Sequence, residues 1–175
     1  LENWCYEKEA LALFAKHYET GENIPMELIE KIKAASTFQQ GMQTLRQLSF
    51  GLLDMSWHGI NPTKIANVKV HETAEFKATQ LLPNVPENCM STAFAHIFQG
   101  GYSSGYYSYK WAEVLDADAF EYFKENDLFD PEIAEAFKTH ILSKGGTLDP
   151  LELYIKFRGQ KPKVEPLLRR SGLLN

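Results

Sequence analysis

"FDPEIAEAFKTHILSKGG" occupies Phe129 to Gly146. Asp130 suits a helix N-cap, since its short carboxylate can accept from the backbone N–H groups that a helix start leaves unpaired. Pro131 follows at the first helical position, where its missing N–H is no loss. The glycines of "SKGG" stop the helix at its other end. A helix whose own residues mark both its ends sets the class of the fold, and the signals around it agree. Downstream, "DPLELYIKF" and "VEPLLRRSGL" read as two short helices. Upstream, a long helix is expected from about Ser104 to Lys124.

Further toward the start, helical patterns predict a first segment from Glu2 to Tyr18, with Trp4, Leu11 and Phe14 near one face. A second follows from Pro25 to about Ala35, with Met26, Ile29 and Ile32 at helical spacing. A third runs from about Phe38 to His58, where Leu45, Leu48, Leu52 and Met55 recur at threes and fours. Gly41 and Gly51 weaken it without breaking it. Another helix is expected around Thr73 to Leu82, ended by Pro83. "PNVPEN" is irregular. "CMSTAFAHIF", residues 89–98, fits a short strand or an extended run lining a cleft. There is no repeat, low-complexity tract or linker, so the expectation is one all-α body over 1–175.

The bulk numbers exclude several functions. The 175 residues carry a formal charge of -5, with 44% hydrophobic and 23% charged residues. Such a balance gives no electrostatic attraction to nucleic acid or an anionic membrane. No apolar run approaches the roughly 20 residues of a membrane-spanning helix. The two cysteines, Cys5 and Cys89, make neither a disulfide framework nor a zinc site, and read as reduced, partly buried thiols with a cytoplasmic address. The chain opens without Met and already in helical pattern, as an excised piece would.

The chemistry concentrates in "HIFQGGYSSGYYSYKW", His96 to Trp111. On a continuous helix Tyr102, Tyr106, Tyr109 and Glu113 share a face, and Tyr107, Trp111, Val114, Leu115 and Tyr122 fall opposite. The second face suits the core, so Trp111 and Leu115 are expected buried and the hydroxyls of Tyr106 and Tyr109 in a groove. A tyrosine is a rigid apolar ring with a donor at its tip, well matched to peptide carbonyls. Gly100 and Gly101 allow close approach of a ligand, or flexing. The same tyrosines could instead bridge core and solvent, and His96 alone is what a satisfied buried histidine looks like.

"HETAE" at His71 lacks the second histidine that would bring two imidazoles to one zinc; Glu75 stands there instead. It reads as a solvated helix face. "KFRGQKPK" reads as a solvated basic tail in which Arg158 could anchor a carboxylate. No Gly-x-Ser-x-Gly, phosphate loop or dinucleotide fingerprint is present.

Four stretches in order, "ENWCYEKEAL", "AHIFQGGYSSGYYSYKWAEVLDADAF", "ILSKGGTLDPLELYIKFRGQKP" and "LLRRSGLL", together resemble the C-terminal part of the M3 zinc metallopeptidases, nearly end to end. The "GYYSYKWAEVL" stretch is most similar to the oligopeptidase branch, with the dipeptidyl carboxypeptidase branch left open. The resemblance implies a helical, neurolysin-like catalytic subdomain and a channel that admits short peptides. In the family, zinc polarises a water and the scissile carbonyl while a glutamate takes the proton, and the tetrahedral oxyanion needs donors. By motif, His96 and Tyr109 match residues that stabilise the intermediate. Tyr102 and Tyr106 match residues that contact the substrate backbone, and Gly100, Gly101 and Gly105 belong to the glycine-rich loop. The same match puts Leu1 just beyond the last zinc ligand. Zinc is therefore expected in the parent enzyme on ligands outside this chain, with no metal site here. The expected partners are a short peptide and the zinc-binding portion of the same polypeptide, and the chain alone is expected to be inactive. The departures are modest: Gln99, Ser103 and Ser104 stand where relatives vary. The rival reading is a helical module that presents its tyrosines to a peptide or protein without hydrolysis. A plain helical scaffold is a third.

Overall fold

Two Asp-Pro pairs set the helices of the C-terminal part. Asp130 Oδ1 accepts from Glu132 N at 2.8 Å and Ile133 N at 3.1 Å. Asp149 Oδ1 accepts from Leu151 N at 2.9 Å and Glu152 N at 3.1 Å. Each carboxylate thus satisfies two orphan amides at a helix start. The computed structural model describes residues 2–174. In chain order the α-helices are α1 (Lys8–Phe14), α2 (Met26–Ser36), α3 (Gln40–His58), α4 (Val68–Phe76), α5 (Met90–Ala93), α6 (Ala95–Phe98), α7 (Ser108–Glu125), α8 (Pro131–Phe137), α9 (Pro150–Arg158) and α10 (Glu165–Arg170). Short 3₁₀ turns at Glu2–Tyr6 and Pro62–Lys64 and a π turn at Lys138–Leu142 complete the set. The described residues contain no sheet, so the fold is all-α.

The chain divides into two compact units. One joins Leu1–Gln40 to Leu115–Asn175, and the other is Gly41–Val114. The first has a core of Ala119, Phe123, Ile133, Tyr154 and Phe157. Trp4 packs edge-on against Phe120 and Phe123, with centroids 4.7 and 5.0 Å away, and its indole N–H donates to Leu128 O. The second unit has a core of Phe50, Leu53, Phe94 and Ile97, with Trp57, Phe76, Met90 and Tyr106 packed on it.

Several predicted elements shift. The first helix does not run from Glu2 to Tyr18: a 3₁₀ turn precedes α1, which ends at Phe14. There the chain folds back through Gly21, at φ +72°, to an isolated bridge between Lys16 and Asn23. Phe14, expected on the apolar face, is exposed. The helix expected at Thr73–Leu82 lies earlier because Asn67 caps it, accepting from Val70 N at 3.0 Å. Residues 89–98 are neither strand nor extended run. They form α5 and α6, separated by Phe94, which leaves helical geometry at ψ 64°. The helix expected from Ser104 begins at Ser108, since Ser104 takes φ +57° and cannot continue one. Cys89 is partly buried as expected, but Cys5 is exposed.

Candidate peptide-binding site

The turn that carries the tyrosines is built on two close constraints. A side chain on Gly100 would place its Cβ 2.9 Å from His96 Cα and 3.0 Å from His96 O, both immovable backbone atoms. Gly101 adopts φ +78°, which glycine alone takes without strain. The chain then doubles back, with Tyr102 N donating to His96 O at 3.2 Å and Gly105 N to Tyr102 O at 2.8 Å. Gly105 has neither a positive φ nor a neighbour closer than ordinary contact.

This turn gathers the aromatic rings without the continuous helix that the spacing suggests. Tyr102 stacks on Tyr109 with centroids 5.0 Å apart and planes 24° from parallel. Tyr106 lies 5.0 Å from Tyr109 and 6.2 Å from Tyr102. The His96 ring is 6.0 Å from Tyr102 and 6.5 Å from Tyr106. Tyr102 and Tyr106 are half-buried, whereas His96 and Tyr109 are exposed, so this histidine is not a satisfied core residue. The Tyr102 hydroxyl, as a hydrogen-bonding neighbour, raises the ionisation of Tyr109 above the ordinary phenol range; partial desolvation and Tyr106 add to it. Tyr109 therefore remains a neutral donor through neutral and mildly alkaline pH.

The expected opposition of faces fails at Trp111, which is 52% exposed, and at Tyr107, which is 58% exposed. With Tyr102 and Tyr106 outside the helix, α7 begins in a different register. Its buried stripe is Ala117, Asp118, Ala119, Phe120 and Phe123. Leu115 is half-buried, and Glu113 pairs with Lys110.

Two buried carboxylates shape this region: Asp54, which no sequence motif marks, and Glu72, which belongs to the stretch expected on a solvated face. Asp54 of α3 is fully buried; one oxygen accepts from Ser104 N at 3.0 Å and the other from Tyr106 N at 2.9 Å. His58 Nδ1 lies 2.8 Å from the first oxygen. Glu72 of α4 accepts from Met90 N at 3.0 Å and Ser91 N at 2.6 Å, and the Cys89 thiol donates to it at 3.5 Å. Burial pushes the Glu72 carboxyl up, but the Ser91, Met90 and Cys89 hydrogen bonds outweigh it and hold the group below its ordinary range. The signal was available: Asp54 sits directly after Leu53 and one turn after Phe50, a lone carboxylate on an apolar stripe.

"HETAE" is thus a structural segment. Glu72 is buried on backbone amides instead of lying on a solvated face, and His71 Nε2 meets Ser56 Oγ at 3.0 Å. Among the described residues no three His, Cys, Asp or Glu side chains converge as a metal site. The residues here therefore do not fit a catalytic zinc, and no step is assigned to one. Arg158 does not lie in a solvated tail free for a substrate carboxylate. Its side chain is 8% exposed, paired with Glu125 at 3.0 Å and lying over the Tyr122 ring. No helix among the described residues is long and apolar enough to cross a membrane.

The helical scaffold thus presents a cluster of phenols and an imidazole around a glycine turn. Residues 1–173 match peptidase family M3, and the chain belongs to that family. It is 45% identical to oligopeptidase A of Escherichia coli, over 99% of this chain and 26% of that protein. It is also 45% identical to an organellar oligopeptidase A of Arabidopsis thaliana, over 99% of this chain and 23% of that protein. The dipeptidyl carboxypeptidase of Escherichia coli is 37% identical over 98% of the chain. The chain spans about a quarter of the length of the curated relatives it matches.

Proposed function

We propose that this chain is the substrate-gripping part of the catalytic domain of a larger M3 oligopeptidase that hydrolyses short peptides. The observation that carries it is the convergence of Tyr102, Tyr106 and Tyr109 with His96 around one turn, neighbouring rings 5.0 to 6.5 Å apart. Phenol hydroxyls on rigid rings suit the carbonyls of an extended peptide. In this reading Tyr102 and Tyr106 hold the substrate backbone. Tyr109 and His96 donate to the oxygen that gains charge as the carbonyl is attacked. Gly100, Gly101 and Gly105 let the turn pass close to the bound peptide.

The zinc on which M3 peptidases depend belongs, in this proposal, to ligands in the remainder of the polypeptide. The chain alone is then inactive, and that remainder is its first partner. The proposed cytoplasmic address is supported by the relative named a probable cytosolic oligopeptidase A, and not by the one named organellar. The higher identity to oligopeptidases A favours an oligopeptidase over a dipeptidyl carboxypeptidase, and membership of a peptidase family favours an enzyme over a non-catalytic binding module.

The test is Tyr109→Phe in the full-length polypeptide, assayed on one short fluorogenic peptide. Removing a donor used only in the transition state should lower kcat by about 10²–10³ with KM nearly unchanged. Tyr102→Phe should chiefly raise KM. Near-normal turnover for Tyr109→Phe would take that residue off the catalytic list and leave the tyrosine cluster a substrate-gripping surface or simple packing, whereas no turnover by the unsubstituted polypeptide would favour the binding module.

A further inference from the structure

The segment that carries the site, residues 89–107, has little regular structure to hold it. Its two helices are four residues each, and its turn includes Ser104 at φ +57°. A non-glycine residue in the left-handed region persists only where surrounding contacts over-determine it. Besides the bonds inside the turn, among them the Ser103 hydroxyl donating to Ile97 O, its amides are held from outside by one side chain. Asp54 receives the amides of Ser104 and Tyr106, which flank Gly105, with one oxygen each. It is fully buried, projects from a 19-residue helix, and lies beside Leu53, which is also fully buried. Glu72 takes the amides of Met90 and Ser91 at the start of the same segment. The cluster's rings pack from this turn onto the core, Tyr106 lying 4.9 Å from Phe94 and 6.0 Å from Phe50.

We propose that Asp54 is a positioning residue for peptide hydrolysis: it clamps the Ser104–Tyr106 turn so that Tyr102, Tyr106 and Tyr109 are presented together, while Glu72 pins the other end of the segment. The functional half of this rests on the reading above. Asn cannot replace Asp54. A carboxylate offers both amides an acceptor, whereas a carboxamide offers one oxygen and turns its NH₂ donor against the second N–H. His58 touches Asp54 from a side chain that is 23% exposed, so water can take its place.

Hydrogen exchange, which needs no substrate, reads the clamp directly. In the unsubstituted protein the amides of Ser104 and Tyr106 should exchange at least tenfold more slowly than those of Ser103 and Tyr107, for which no acceptor is found among the described residues. Asp54→Asn should remove that difference, and Glu72→Gln should instead expose Met90 and Ser91. His58→Gln should leave Ser104 and Tyr106 protected. Equal exchange of all four amides in the unsubstituted protein would overturn the clamp without any variant, even if Asp54→Asn does not fold. In the full-length polypeptide, Asp54→Asn should raise KM and lower kcat together, roughly tenfold or more in kcat/KM, where circular dichroism shows it fully folded. His58→Gln should stay within a few-fold of the unsubstituted value. Loss of protection with unchanged kcat/KM would overturn the positioning role. Failure of the unsubstituted polypeptide to cut short peptides would count against the proposed function, and the exchange result would still decide the clamp.

Discussion

Tyr154 illustrates how much one hydroxyl can hold. It is buried, and it donates to Asp118 Oδ2 at 2.7 Å in the fully buried Asp118 carboxylate. Burial first, then the hydrogen bond to Asp118 and its charge, push the phenol far above its ordinary range. The folded state therefore binds this proton more tightly than the unfolded chain. The resulting stability is fully present below about pH 10 and is lost as pH rises above it toward the folded value. Of the eight tyrosines, Tyr154 is expected to ionise only as the chain unfolds, which an ultraviolet titration followed beside circular dichroism would check. Tyr154→Phe should destabilise the protein by about 1–3 kcal/mol in urea unfolding, because among the described residues Asp118 Oδ1 has no hydrogen-bond partner and Oδ2 would be left with only Arg158 Nε, 3.5 Å away. An ordinary titration of all eight phenols would refute this account. Residue types at the site were legible in the sequence because phenols, imidazole and glycines announce their chemistry. Asp54, Glu72 and Asp118 were not, because a carboxylate's role depends on whose amides or hydroxyl it meets, and those partners lie 17 or more residues away.

At the scale of elements, what was legible was local. Asp130–Pro131 and Asp149–Pro150 fix helix starts within three residues of themselves, and both starts are where the sequence puts them. α9 then carries Leu153, Tyr154 and Phe157 inward, so the loss of its cap should be felt by the unit around it. Asp149→Ala is expected to lower stability by about 1 kcal/mol, within the 0.5–2 kcal/mol typical of N-caps, measured by chemical denaturation. A change below the error of that measurement would show the cap to be redundant. The segment 89–107 was illegible for the opposite reason: long-range contacts decide it. Periodicity placed Tyr102, Tyr106 and Tyr109 on one helix face, and they do come together. They do so through a turn held by Asp54, and the displaced start of α7 leaves Trp111 exposed.

At the scale of the whole molecule, composition and helical pattern were enough for the all-α class, but the division of the chain was not. Sequence order suggested a single body, because the boundary after Val114 falls inside α7, where no proline, glycine or polar run marks it. One unit is interrupted in sequence by the other. During vectorial synthesis residues 41–114 emerge complete before residues 115–175, which share a unit with the residues up to Gln40. Translating the roughly 60 remaining residues takes about 3–12 s at ordinary elongation rates. Ribosome-bound chains arrested with Val114 just outside the exit tunnel should resist protease over 41–114 and be cut within the first 40. Chains released at full length should resist in both. Simultaneous protection would mean that the residues up to Gln40 fold without residues 115–175. Otherwise Trp4 stays an uncovered hydrophobic anchor until Phe120 and Phe123 emerge, under about 2 s after Val114 at ordinary elongation rates, and the rest of the core around those rings closes later still.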